Sequence, residues 1–201
     1  MSSKSCAPSA RTGNVSRSSL FLSLKLIPFT NISFPLPDVC AAEGQVPIKH
    51  RDDATEVPGS RALLATLETA GAPWAIVTSG TRPLVTGWLD VMQLAHPRFM
   101  VTAEEVANGK PDPACYRLGA ARLGLEGAKP ESLLVLEDAP AGVRAGKAAG
   151  YRVVALATTH AVEQLREAGA DWIVRDMRSV TLERFDAKGR VVSVRIADAL
   201  V

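Results

Sequence analysis

The sequence predicts an α/β fold with a doubly wound parallel sheet, and three observations predict it. From about residue 55 onward, short apolar runs alternate with stretches of helical spacing. The apolar runs carry no polar face, so helices have to cover them on both sides. The 201-residue composition, 47% hydrophobic and 22% charged, suits one soluble domain with a sizeable core.

The elements follow in order. VPGSRALLATLETAG places Leu63, Leu64 and Leu67 at helical spacing and stops at Gly71. WAIVT, residues 74–78, is a buried strand, and RPLVTGWLDVMQL is helical again. RFMVT, residues 98–102, is the next strand. DPACYRLGAARLGL is a helix that tolerates Pro113 in its first turn. SLLVLE, YRVVAL and WIV are strands, separated by the helices PAGVRAGKAAG and VEQLREAGA. The tail GRVVSVRIADALV alternates like an antiparallel edge strand.

Residues 1 to about 41 differ in kind. They are rich in Ser and basic residues, and no acid precedes Asp38. Their one apolar run is interrupted by Lys25 and followed by prolines, which argues against a long element. The expectation is disorder, or one improvised strand around Leu20 to Leu26, laid beside the sheet or filling a gap in it. Three origins stay open: a targeting presequence, a disordered tail, or sequence foreign to the domain such as a mispredicted gene start. The expected organisation is this segment, a remnant of a cap or linker over 42–57, and an α/β core over 58–201.

Several classes are excluded. A net charge of +2 gives no footprint for nucleic acid, and no apolar run approaches the roughly 18 residues of a membrane span. Cys6, Cys40 and Cys115 are scattered without CxxC spacing, and His50, His96 and His160 stand far apart, so neither a disulfide framework nor a zinc site is indicated. A reducing, cytoplasmic setting is expected, or a mitochondrial one if the N-terminus is a transit peptide. A monomer is expected.

Ligands of open α/β sheets bind beyond the carboxyl ends of the strands. Those positions hold TSGTR after 74–78, GKPDP after 98–102, EDAPAG after Leu136 and TTH after Leu156. Thr78, Ser79 and Gly80 offer hydroxyls and backbone N–H groups to a phosphate. Lys110 supplies a cation, with Pro111 behind it. Glu137 and Asp138 are oxygen ligands of the kind Mg²⁺ takes together with a phosphate. Taken singly, each has a plainer reading: Thr78, Ser79 and Thr81 as helix caps, Lys110 as a solvated loop residue, and the acids as partners of a helix dipole. Gly142 and Gly146 read as close packing. Three such features in order on one edge favour phosphoryl chemistry.

The series VTSGT, NGKPDP and VLEDAPAGVRAGKAAG resembles motifs II, III and IV of the haloacid dehalogenase-like hydrolases. The likeness is greatest to their glycerol-phosphate and small-sugar-phosphate phosphatases, and it runs from about residue 43 to the end. It implies that Thr78 and Lys110 act on the phosphoryl group and that Glu137 and Asp138 hold Mg²⁺. It also implies a small phosphorylated polyol or sugar as substrate. Family members begin with a strand ending in DxDGT, whose first Asp is the nucleophile and whose second is the general acid/base. No DxD occurs in residues 1–60. Asp38 lacks a second Asp two residues on, and Asp52 and Asp53 lie where the helical cap would end, so the nucleophile is unknown. Most of the cap is absent as well. Two functions follow: a phosphomonoesterase core impaired by the missing motif, or a noncatalytic remnant that binds phosphate and Mg²⁺. A dinucleotide-binding domain ranks last for want of GxGxxG.

Overall fold

The computed structural model describes residues 11–17, 19–22, 36–188 and 191–201. Its centre is a six-stranded parallel sheet made of β2 (Ser19–Leu22), β3 (Trp74–Val77), β4 (Phe99–Val101), β5 (Leu133–Glu137), β6 (Arg152–Leu156) and β7 (Trp172–Val174). Across the sheet the order is β4-β3-β2-β5-β6-β7. A second sheet is antiparallel and runs β1-β9-β8, from Arg11–Arg17, Val191–Ala199 and Val180–Asp186.

Alternation along each strand divides the core in two. One face carries Trp74, Ile76, Leu134, Leu136, Val154 and Leu156. It packs against α2 (Ser60–Ala70), α3 (Arg82–Val91) and the inward residues Val192, Val194 and Ile196 of β9. The other carries Ala75, Val77, Val135, Val153 and Ala155 beneath α4 (Ala114–Arg122), α5 (Pro140–Ala148) and α6 (Val162–Glu167). Leu134 and Leu136 are 0% exposed, and burial of each contributes about 1.5–3 kcal/mol. The doubly wound arrangement is the one the sequence predicts.

One expectation is corrected and one open alternative is decided. The C-terminal strand is not an edge: β9 lies between β8 and β1, and its strict alternation reflects one face against the core and one toward solvent. The improvised strand takes the second of its two expected places, filling the gap in the sheet and not lying beside it. Leu20 pairs with both Trp74 and Leu134, and Leu22 with both Ile76 and Leu136, so β2 occupies the central slot. A four-residue strand with three apolar residues suffices there because its two neighbours supply both ladders. The residues between β2 and α1, including Leu24 to Leu26, lie outside the described residues.

The helix α1 (Leu36–Lys49) crosses position 41 and packs on α3. Each helix offers a glycine to a proline of the other. A Cβ on Gly87 would meet Pro47 Cγ at 2.8 Å, and one on Gly44 would meet Pro83 Cβ at 3.1 Å. At the far end of α3, Arg61 donates to the carbonyls of Met92 and Gln93 at 2.7 and 2.9 Å, which satisfies the helix's C-terminal acceptors. No helix of the described residues is long and apolar enough to cross a membrane.

Candidate functional site

The carboxyl end of the parallel sheet brings the predicted residues together. β3 delivers Thr78, and β5 delivers Glu137 and Asp138 on the far side of β2. Lys110 bridges the gap: its Nζ donates to Glu137 Oε1 at 2.6 Å and to the Val77 carbonyl at 3.2 Å. The Lys110 and Glu137 side chains are only 7% and 2% exposed, so this is a buried ion pair. The peptide bond from Lys110 to Pro111 is cis.

Both oxygens of Glu137 are engaged. Oε1 accepts from Lys110 and, at 3.2 Å, from the Tyr116 hydroxyl. Oε2 accepts from the backbone N–H groups of Asp138 and Ala139 at 2.7 and 2.8 Å. The carboxylate lies so close to α5 that a Cβ on Gly142 would fall 1.7 Å from Oε1. Four donors suit a buried carboxylate, which has about four lone-pair sites. Asp138 sits beside it, buried at the next position. Its Oδ2 accepts from the Thr159 hydroxyl at 2.7 Å, and the His160 Nδ1 lies 3.0 Å from its carbonyl oxygen. The two neighbouring acids therefore differ: Glu137 is tied to the lysine and the backbone, and Asp138 to the loop after β6.

Thr78 is 5% exposed, and its Oγ1 accepts from the Gly80 N–H at 3.1 Å, closing a tight turn before α3. Ser79, on the tip of that turn, is exposed. The first N–H groups of α3 are taken by carboxylates. Thr81 N–H donates to Glu43 Oε2 at 2.9 Å, and Arg82 N–H to Glu104 Oε1 at 2.8 Å. Both acids answer the positive end of the helix dipole. Burial pushes the Glu104 carboxyl up, yet hydrogen bonds, the one from Arg82 N–H foremost, hold it below its ordinary range. Within the 78–80 turn the Thr78 N–H donates to the Val101 carbonyl at 2.9 Å and the Gly80 N–H to Thr78 Oγ1, which leaves the Ser79 N–H, before the helix proper, for an anion.

Sequence reasoning missed Glu43, Tyr116 and the functional placing of Gly142. Glu43 stands 38 residues from its partner, and Tyr116 is one buried residue of an ordinary helix, so neither leaves a local signal. Thr159 and His160 lay within TTH, already placed on this edge. Asp38 is exposed in the first turn of α1, and Asp52 and Asp53 are exposed in the turn after it. Beside Thr159 opens a cavity of about 770 Å³, lined among others by Glu56, Thr158, His160 and Arg175.

Among the described residues no group of three His, Cys, Asp or Glu could enclose a metal ion. The chemistry of the corner fits Mg²⁺ in the looser manner that this ion accepts, one carboxylate with phosphate and water completing the shell.

The family model of haloacid dehalogenase-like hydrolases matches residues 43–156, a stretch that holds Glu43, Thr78, Lys110, Tyr116, Glu137 and Asp138 and ends before Thr159 and His160. The chain belongs to that family. Across 163 residues it is 36% identical to glycerol-1-phosphate phosphohydrolase 1 of Saccharomyces cerevisiae, covering 79% of this chain and 65% of that protein. Across 130 residues it is 42% identical to hexitol phosphatase A of Escherichia coli, covering 65% and 58%. The crystal structure of a hydrolase from Pseudomonas syringae superposes with a TM-score of 0.58 at 28% identity, covering 66% of this chain and 60% of that one. This haloacid dehalogenase-like chain therefore spans less than two thirds of the length of each of these relatives.

Proposed function

We propose that this chain is the phosphate- and Mg²⁺-binding core of a phosphomonoesterase of small phosphorylated polyols or sugars, with turnover impaired because the nucleophile is missing. The observation that carries the reading is the content of the central slot. β2 fills it, but residues 1–37 contain no Asp or Glu, and the first acid of the sequence, Asp38, is exposed on α1. The named activities of the glycerol-phosphate and hexitol-phosphate relatives support the substrate class.

The remaining residues divide the work of binding. Lys110 neutralises a phosphoryl oxygen, while the Thr78 hydroxyl and the Ser79 N–H orient it, with the Gly80 N–H closing the turn on Thr78. Asp138 would hold Mg²⁺, with Thr159 fixing its carboxylate; the ion, when bound, neutralises further phosphoryl charge. Glu137 holds Lys110 in place. The cavity beside Thr159 and His160 offers room for a polyol. These groups stabilise charge. None of them is an in-line nucleophile with a second acid to protonate the leaving oxygen.

The test is direct. The purified 201-residue chain, with Mg²⁺, is assayed on glycerol phosphate, 2-deoxyglucose phosphate and p-nitrophenyl phosphate beside a chain carrying a grafted DxDGT strand and cap. No turnover above background is expected from the first, since acid/base help alone is worth about 10²–10⁴-fold. The graft is expected to turn over. Turnover by the unmodified chain that Asp138→Ala abolishes would overturn the impairment, and Asp38→Asn is then the first variant to make.

A further inference from the structure

Tyr116 stands inside α4 and is 0% exposed. It shares its core with Ala75, Val77, Val135 and Val143, which ask for bulk and not for a hydroxyl. A buried phenol needs a hydrogen-bond partner, and this one reaches Glu137 Oε1 at 3.2 Å. The same ring has the Lys110 Nζ 5.0 Å from its centroid, within range of a cation–π contact. One side chain thus touches both members of the buried ion pair. We propose that Tyr116 is a positioning residue that sets the direction of the Lys110 ammonium, with Gly142 leaving the space in which Glu137 is seated. The inference rests on reading Lys110 as a phosphate ligand.

A lysine ammonium is a compact charge on a flexible stem, with three N–H groups that rotate together. Glu137 at 2.6 Å and the Val77 carbonyl at 3.2 Å both accept from it, so the direction of the ammonium depends on where those two oxygens sit. The arrangement holds only while Oε1 stays where it is. Backbone N–H groups pin Oε2, Tyr116 steadies Oε1, and the bare Cα of Gly142 leaves room for both. The phenol has a second effect. Its hydrogen bond draws electron density from the oxygen that faces Lys110, so the ammonium keeps more of its charge for an incoming anion. A distance of 3.2 Å is long for O–H···O, so the phenol adjusts the pair and does not break it.

The experiment uses the full chain labelled with ¹⁵N-lysine, in which the Lys110 Nζ signal is assigned by its disappearance in Lys110→Ala. Tyr116→Phe keeps the ring and removes the hydrogen bond. It is expected to move the Nζ resonance, quicken its hydrogen exchange and weaken binding of inorganic phosphate by about five- to tenfold, while the melting temperature changes by no more than about 4 °C. Gly142→Ala, which drives the carboxylate off its seat, is expected to move the same resonance. An unmoved Nζ resonance in Tyr116→Phe overturns the proposal. So does a lowered melting temperature with phosphate affinity unchanged, the mark of a purely structural hydroxyl. If the wild-type chain binds no phosphate, the proposed function fails, and the resonance alone then decides whether Tyr116 directs Lys110.

Discussion

At the scale of single residues, the buried pair of Lys110 and Glu137 has the largest energetic consequence. Removing one partner leaves a charge with 2% exposure uncompensated, a change that typically costs about 3–5 kcal/mol. Lys110→Met should therefore lower stability in urea unfolding by roughly 3 kcal/mol, the lower end, because Tyr116 and two backbone N–H groups still serve Glu137. Adding Glu137→Gln should recover part of the loss. A Lys110→Met chain as stable as wild type would show that the pair is solvated. A second acid has a readable pH effect. The hydrogen bond from Arg122, foremost among several causes, lowers the Glu105 carboxyl to about 2. A depressed carboxylate contributes stability that is complete above its unfolded value, about 4.3, and disappears as pH falls through its folded value. Melting temperature recorded from pH 6 to 2 should thus fall more steeply for wild type than for Glu105→Gln. Asp171 adds to the same acid limb: burial pushes it up, yet Lys147, the Val153 N–H and Arg152 outweigh that and hold it low.

At the scale of elements, β2 decides the integrity of the sheet. Its backbone is bonded on both sides, so amide exchange at Leu20 to Leu22 should be slowed as much as in β3 and β5. Fast exchange there, with β3 and β5 protected, would place the strand elsewhere. Proline at Leu20 removes an N–H from the centre of a sheet and should leave an aggregating chain, since two strands then face unpaired edges. The outer strand β4 is guarded differently. Arg122 donates to the Met100 carbonyl from α4, which occupies an acceptor that would otherwise invite another strand.

For the whole molecule, the two sheets share one core: β9 contributes Val192, Val194 and Ile196 to the layer that contains Leu134 and Leu136. Elements sharing a core unfold together. Trp74 and Trp88, 3% and 2% exposed, sit in or beside that layer, so their fluorescence should report the same melting midpoint as far-UV circular dichroism. Separate midpoints would mean that the antiparallel sheet is a detachable unit.

The α/β alternation, the helix stop at Gly71 and the gathering of Thr78, Lys110 and Asp138 at one edge were legible in the sequence. These follow from local periodicity and from the rule that strand ends share an edge, which needs no knowledge of distant contacts. The absence of a DxD motif was equally a matter of reading residues. Only the tertiary structure decided among disorder, a place beside the sheet and the central slot for Ser19–Leu22, because a short strand with three apolar residues is compatible with each until both neighbours bond to it. It alone placed β9 inside its sheet, since alternation reports one buried face but not the number of partners. The functions of the two adjacent acids also waited for it. In sequence Glu137 and Asp138 are equivalent carboxylates; in space the first meets Lys110, Tyr116 and two backbone N–H groups, and the second meets Thr159. Those partners lie 21 or more residues away apart from the backbone ones, so no local pattern could have told the two acids apart.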